Sequence, residues 1–276
     1  MTEEVRRSRS GTMVDEIYLV LRERIIDGSF APGQRLSQEH LARELQVSRT
    51  PLREAFQRLE RDGLLNISAN RGMHVSSLNN SDTEQFYALR LLVEPPTLTA
   101  LLDRITDQDI AQMLEALDAM SRYTDRTREF QEAHRRFHDV ALDHYPSAIA
   151  ELTHSLHAKI YRHQRAYLSR PRVPEDFLYA DKLLLNAIRQ RDGALVHQVL
   201  EFHLIDAALG LILDLNPDHC FDPLLLTLRG IGINLESDAQ GRIPRPAVLR
   251  WERSDTASMP ALATYNLLYE PAFTGG

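Results

Sequence analysis

Cysteine is nearly missing from this 276-residue chain: Cys220 stands alone, which excludes an internal disulfide and any CxxC metal or redox motif. No run approaches the ~18 consecutive apolar residues of a membrane span, and the Arg-rich N-terminus lacks the apolar stretch of a signal peptide. The expectation is a cytoplasmic protein in a reducing compartment, with no membrane partner. Positive charge is also short, since 32 Lys and Arg against 39 Asp and Glu leave a net charge of −7, unlike a generic polyanion binder. Nor is there an HExxH helix, a phosphate-cradling glycine loop or a nucleophile with a base, so the reading is not an enzyme.

What is present is enough for about two domains, because 276 residues with 43% hydrophobic content can form packed cores. Charge is unevenly spread: Met1 to Ser77 holds 12 arginines against 11 acidic residues, whereas Leu78 to Leu215 holds 15 basic against 21 acidic. The acidity therefore belongs to the later part, and a near-neutral N-terminal domain can still bind DNA if its arginines share one surface.

The stretch from Val47 to Leu65 combines a helix start, a core stripe and an arginine edge. Thr50 before Pro51 predicts an N-cap and first-turn pair, because proline's fixed φ suits that position. Leu52, Ala55, Phe56 and Leu59 then recur at helical spacing, while Arg49, Arg53 and Gln57, four apart, line another edge. Upstream, Ser37 caps a short helix with Leu41, Ala42 and Leu45, and Gln46-Val47-Ser48 is the turn. Downstream, short apolar segments from Gly63 to Ile67 and from Gly72 to Val75 flank Ser68 to Arg71 and predict a two-stranded wing. The whole predicts a winged helix-turn-helix, whose second helix carries its N-terminal residues to base edges in the major groove. A three-helix packing unit with merely solvated arginines is the blander alternative.

From Tyr18 to Val75 this pattern resembles the GntR family of bacterial transcription regulators, whose winged domains share the RLS helix start, the VSRTP turn and the closing Gly-Leu. The resemblance implies that Arg49, Thr50 and Arg53, with Arg71 and Gly72 of the wing, contact double-stranded operator DNA. Glu39 departs from the fatty-acid-responsive members, which carry arginine there.

Ser81 to Leu215 predicts an all-α bundle, since apolar residues recur at three and four spacing and glycine is nearly absent. Helices are expected at 81–102, 107–121, 125–143, 147–169, 175–191 and 193–215. Pro95-Pro96 should kink or split the first, because neither has an amide hydrogen. Eight of the eleven histidines fall between His134 and His203. His134 and His138, four apart, project from one helix face and could grip one cation, although such pairs are more often hydrogen-bonded or exposed.

This segment, about Leu78 to Leu213, resembles the FCD-type effector domain of the FadR subfamily, in which one aspartate and three histidines hold a buried divalent metal. The resemblance implies His134, His138, Asp181 and His203 as ligands. Two positions depart from the pattern reciprocally: His134 stands where the family has aspartate, and Asp181 where it has histidine. Three imidazoles and one carboxylate remain, a set suited to zinc or nickel with a position open for an effector carboxylate. An unmetallated polar pocket is the alternative.

Arg90 and Glu94, four apart, match a feature near the pocket of such domains, with a solvated ion pair as the bland reading. His154, His157 and Tyr161 share a face and could line the same cavity; Arg90 and His157 are the effector-binding candidates. His144, His163 and His197 are expected at the surface.

The expected architecture is mainly α: a mobile arm at 1–11, a winged helix-turn-helix at 12–77, an all-α effector-binding and dimerisation domain at 78–215, and an extension at 216–276. The expected function is a homodimeric DNA-binding regulator, a repressor by resemblance, whose operator affinity responds to a small carboxylate near the metal. Two readings stay open beside it: a DNA-binding dimer with a non-sensing bundle, and a metal-dependent enzyme fused to a DNA-binding module. The extension, with six prolines, is expected to be partly disordered, with short strands near Ala247 to Trp251 and Thr264 to Tyr269. Trp251 and Tyr269 could pack on the bundle or a partner.

Overall fold

The computed structural model describes residues 3–26, 28–68, 72–76, 79–168, 177–244, 247–253, 263–264 and 267–269. The chain divides into two compact units, residues 1–79 with 157–165, and residues 80–156 with 166–276.

In the first unit, α1 (Glu3–Ile26), α2 (Gln38–Glu44) and α3 (Arg49–Arg61) accompany three short strands, β1 (Arg35–Leu36), β2 (Leu65–Ser68) and β3 (Gly72–Val75). Residues 3–11, which fall in the expected arm, lie in α1, which runs from Glu3 to Ile26. Ser37 caps α2 as expected, its Oγ accepting the His40 amide at 3.3 Å. Gln46, at φ 55°, makes the left-handed turn into α3. That helix begins two residues earlier than its proline suggested, with extended Ser48 at the cap. Pro51 thus becomes the third helical residue, where the missing amide is still one of the first-turn groups without an intrahelical partner. Leu52, Ala55, Phe56 and Leu59 close on Leu21, Ile25, Leu41 and Val75 to form the core.

The strands form an antiparallel sheet in the order β1-β3-β2, with Asn66 opposite His74 and Ser68 opposite Gly72. Arg35-Leu36 was not foreseen as a third strand, because two residues carry no period. Gly72 sits at φ +78°, and a side chain there would lie 3.4 Å from the Arg35 guanidinium, so its freedom serves both the turn and that approach.

The second unit contains α4 (Asn80–Ala100), α5 (Asp107–Arg122), α6 (Thr127–Leu142), part of α7 (Ser147–Leu168), α8 (Phe177–Arg189) and α9 (Gly193–Leu215). All six lie within a few residues of their predicted spans. The exception is the double proline: α4 is one helix, with Pro95 and Pro96 inside it. Side-chain donors supplement the backbone around them, since Thr99 Oγ1 donates to the Pro95 carbonyl at 2.8 Å and Tyr145 Oη to that of Glu94 at 3.3 Å. Burial of Tyr87, Leu91 and Leu98 also favours continuity. α9 is long and apolar enough, by length and composition, to cross a membrane, but 72% of its apolar window is buried within the protein, as in a core helix.

Beyond Leu215 the expectation of partial disorder fails over 217–244 and 247–253. Helix α10 (Pro223–Gly230) leads to β4 (Ile233–Leu235), β5 (Ala247–Trp251), β6 (Ala263–Thr264) and β7 (Leu267–Tyr269), in the sheet order β4-β5-β7-β6. β5 alternates buried Ala247, Leu249 and Trp251 with half-buried Val248 and Arg250, the period of a strand with one face inward. The Tyr269 side chain lies outside the described residues.

Candidate functional site

Two constellations carry chemistry, one exposed and one buried. On α3 the core face leaves Arg49, Thr50, Arg53 and Gln57 exposed along the opposite edge. Gln38 Nε2 donates to the Arg49 carbonyl at 3.2 Å, fixing the start of α3 against the start of α2. Three other arginines of this unit, Arg22, Arg24 and Arg58, show a different habit. Arg58 donates to Asp15 at 2.7 Å and lies over the Tyr18 ring, Arg24 pairs with Glu44, and Arg22 with Glu23. Tyr18 donates to Asp62 at 2.6 Å, and burial together with that carboxylate pushes its hydroxyl up to about 12. Among the described residues Arg49 and Arg53 have no acidic partner, so their donors remain available. Gly72 opens β3 at the wing, while Arg71 lies outside the described residues.

The buried constellation draws His134 and His138 from α6, Asp181 from α8 and His203 from α9. One ligand atom from each lies within 4.8 Å of all the others. His134 and His138 bring their Nε2 atoms to 3.1 Å. Asp181 Oδ1 stands 3.4 Å from His138 Nε2 and 3.7 Å from His203 Nδ1, with Oδ2 3.7 Å from His134 Nε2. The Asp181 side chain is fully buried, yet neither carboxylate oxygen has a hydrogen-bond partner. Such a group is costly unless a cation compensates it. Burial pushes the His203 imidazole down to about 4, against the opposing pull of Asp181, so its ring is neutral at neutral pH with a lone pair for coordination. Three neutral-capable imidazoles around an unsatisfied carboxylate fit a divalent first-row metal.

Arg90 and Glu94 are not a solvated pair. Both are about 5% exposed, joined by bonds of 2.6 and 3.2 Å, and both act electrostatically on His203. Burial works against the Arg90 charge, but Glu94 outweighs it and raises the guanidinium above its ordinary range. His157 is half-buried on α7, in the segment grouped with the first unit, and is not one of the four clustered donors. His154 is 47% exposed beside Asp139 rather than enclosed in a cavity. His144 and His197 depart from the surface expectation, since they sit partly buried at 3.1 Å from Asp109 and 3.3 Å from Glu201. The His163 side chain lies outside the described residues.

Glu84 and Glu201 escaped the sequence reading, because single acidic residues in apolar helices carry no spacing signal. Glu84, on α4, accepts the Asp222 and Leu224 amides at 2.8 and 2.9 Å, and His219 Nε2 stands 2.9 Å away. Glu201, on α9, accepts Trp251 Nε1 at 2.9 Å and Arg253 at 2.8 and 2.6 Å. Burial pushes Glu201 up, but bonds from His197, Arg253 and Trp251 prevail and hold it below the usual carboxylate range.

Comparison with known proteins gives both units a family. Residues 6–75 match the profile of bacterial regulatory proteins of the gntR family, and residues 85–206 that of the FCD domain. An uncharacterized HTH-type transcriptional regulator of Bacillus subtilis, YdhC, is 30% identical over 132 residues, covering 46% of this chain and 58% of that protein. The chain thus spans little more than half the length of that relative. The galactonate operon transcriptional repressor of Escherichia coli is 28% identical over 209 residues, covering 67% of this chain and 90% of the relative. A crystal structure of a GntR transcriptional regulator from Rhodococcus sp. RHA1 aligns with a TM-score of 0.64 at 27% identity, over 73% of this chain and 98% of the other. With a winged unit and a helical unit matching in that order, the chain belongs to the GntR family of bacterial regulatory proteins and carries an FCD domain.

Proposed function

We propose that this protein is a DNA-binding transcription regulator that works in the cytoplasm as a homodimer and represses from an operator. The observation carrying the DNA reading is that Arg49 and Arg53 stand exposed at the start of α3, away from its core face, with no acidic partner among the described residues. An unpaired arginine at the start of an exposed helix can bond guanine O6 and N7 together. Thr50 at the helix start and Gly72 at the wing extend the contact surface, and Arg71, which precedes Gly72 in the sequence, is assigned to it as well. Exposed Leu89 and Leu92 on α4 supply an apolar stripe for a second copy. Repression follows the Escherichia coli relative, a galactonate operon repressor.

The helical unit is the sensor in this reading. His134, His138, Asp181 and His203 hold a divalent ion, zinc or nickel, which when bound supplies Lewis acidity toward an effector carboxylate. Asp181 offsets the ionic charge, and the three rings fix the orientation of the effector around it. Arg90, restrained by Glu94, adds positive potential toward the same anion. Effector and DNA then favour different arrangements of the dimer, so each alters the other's affinity by the same factor.

Selection from a random duplex library by the full-length protein tests the first half. The expected result is a two-fold symmetric site with half-sites roughly one helical turn apart, and binding that weakens steeply with salt. Retention of duplexes without sequence preference would sink the operator reading. Elemental analysis of the wild type beside a His134→Ala, His203→Ala variant tests the second half, with metal expected in the former and absent from the latter.

A further inference from the structure

The chain continues beyond residue 206, where the FCD match ends, and the extension is anchored by the two buried carboxylates Glu84 and Glu201. Glu201 lies two residues before His203 on one uninterrupted helix, α9. Two residues correspond to about 200° of rotation, so the side chains leave α9 on opposite sides, one toward the extension and the other toward the histidine–aspartate cluster. The grip on the extension side is tight. Arg253 engages both Glu201 oxygens, at 2.8 and 2.6 Å, and Trp251 adds a third bond at 2.9 Å. Arg253 is itself seated against the turn after α10: its Nη1 lies 3.4 Å from the Ile231 carbonyl, and a Cβ on Gly232, at φ +74°, would stand 3.5 Å from its Cγ.

We propose that Arg253 and Trp251 are positioning residues for the metal ligand His203. Clamped on Glu201, they fix the rotation and axial setting of α9, and so the distance of the His203 ring from the other three donors. This rests on the metal reading above. Metal sites need their donors held within roughly 0.5 Å, and losing an outer-shell partner typically costs 10–100-fold in metal affinity. Glu84 supplies the contrast, since it holds the same extension but projects from α4, which contributes none of the four donors.

The test measures zinc affinity of full-length protein by competition with a chromophoric chelator, alongside thermal melts. Arg253→Met should weaken zinc binding about 10–100-fold, and Arg253→Lys should recover part of the loss. Glu84→Ala should lower the melting temperature while zinc affinity stays near that of the wild type. Unchanged affinity in Arg253→Met, or an equal loss in Glu84→Ala, would overturn the positioning role while the metal site stands. Absence of zinc binding by the wild type would overturn the metal reading and this inference together. Should Arg253→Met fail to fold, Trp251→Phe, which removes one bond from Glu201, is read by the same criterion with a smaller loss expected.

Discussion

The two units treat charge in opposite ways. On the winged unit Arg49 and Arg53, the proposed DNA contacts, are exposed with no acidic partner among the described residues, and Arg58, Arg22 and Arg24 are neutralised by Asp15, Glu23 and Glu44. In the helical unit the charged groups that matter are buried: Arg90 against Glu94, Glu201 against Arg253, and Asp181 among three imidazoles. Readiness for a polyanion comes from solvent access, whereas readiness for a small cation comes from a desolvated carboxylate without a hydrogen-bond partner in the protein. Removing Arg49 or Arg53 should therefore cost binding and leave stability nearly unchanged, whereas changing a buried charged group of the second unit should move stability as well as binding.

The largest expected effect is on DNA. Arg49→Ala with Arg53→Ala should cost about 2–6 kcal/mol of operator affinity, read by fluorescence anisotropy, with the melting temperature nearly unchanged. A fall in melting temperature of matching size would show that the arginines serve the fold and would erase the contrast. Next comes Asp181→Asn, which should abolish stoichiometric metal while raising the melting point of metal-free protein, because a buried charge without hydrogen-bond partners is removed. A lower metal-free melting point would mean that the carboxylate is satisfied by its histidines alone. The exchange variant His134→Asp, Asp181→His sharpens the same point. It keeps three nitrogens and one oxygen and should retain metal by elemental analysis, whereas either single change should bind less. The smallest effect belongs to Ser37→Ala, which loses the cap on α2 and should cost about 1 kcal/mol in a chemical melt without altering metal content.

How much of this was legible followed from how local each feature is. The arginine edge, the Ser37 cap and the core stripe of α3 lie within some 25 consecutive residues, and helical periodicity alone placed them on the right faces. The proposed ligand set spans three helices and some 70 residues. His134 and His138 were visible as a pair by spacing, but Asp181 and His203 came only through family resemblance, because no period links α6, α8 and α9. That α4 stays one helix through Pro95-Pro96 was not legible, since the Thr99 and Tyr145 donors near those carbonyls come from side chains that backbone rules do not count. The extension was misread for a related reason. Its six prolines argued for disorder, while Glu84 and Glu201, which secure it, sit more than 45 residues away in helices that looked merely apolar.

The chain holds one tryptophan, and it is Trp251, fully enclosed with its indole N–H on Glu201. Its emission thus originates from a single known site, bonded to the glutamate two residues before His203, with no competing indole to subtract. A shift in that emission as zinc is added would report a change at the clamp without any attached dye, and the residue that anchors the extension doubles as its intrinsic optical probe.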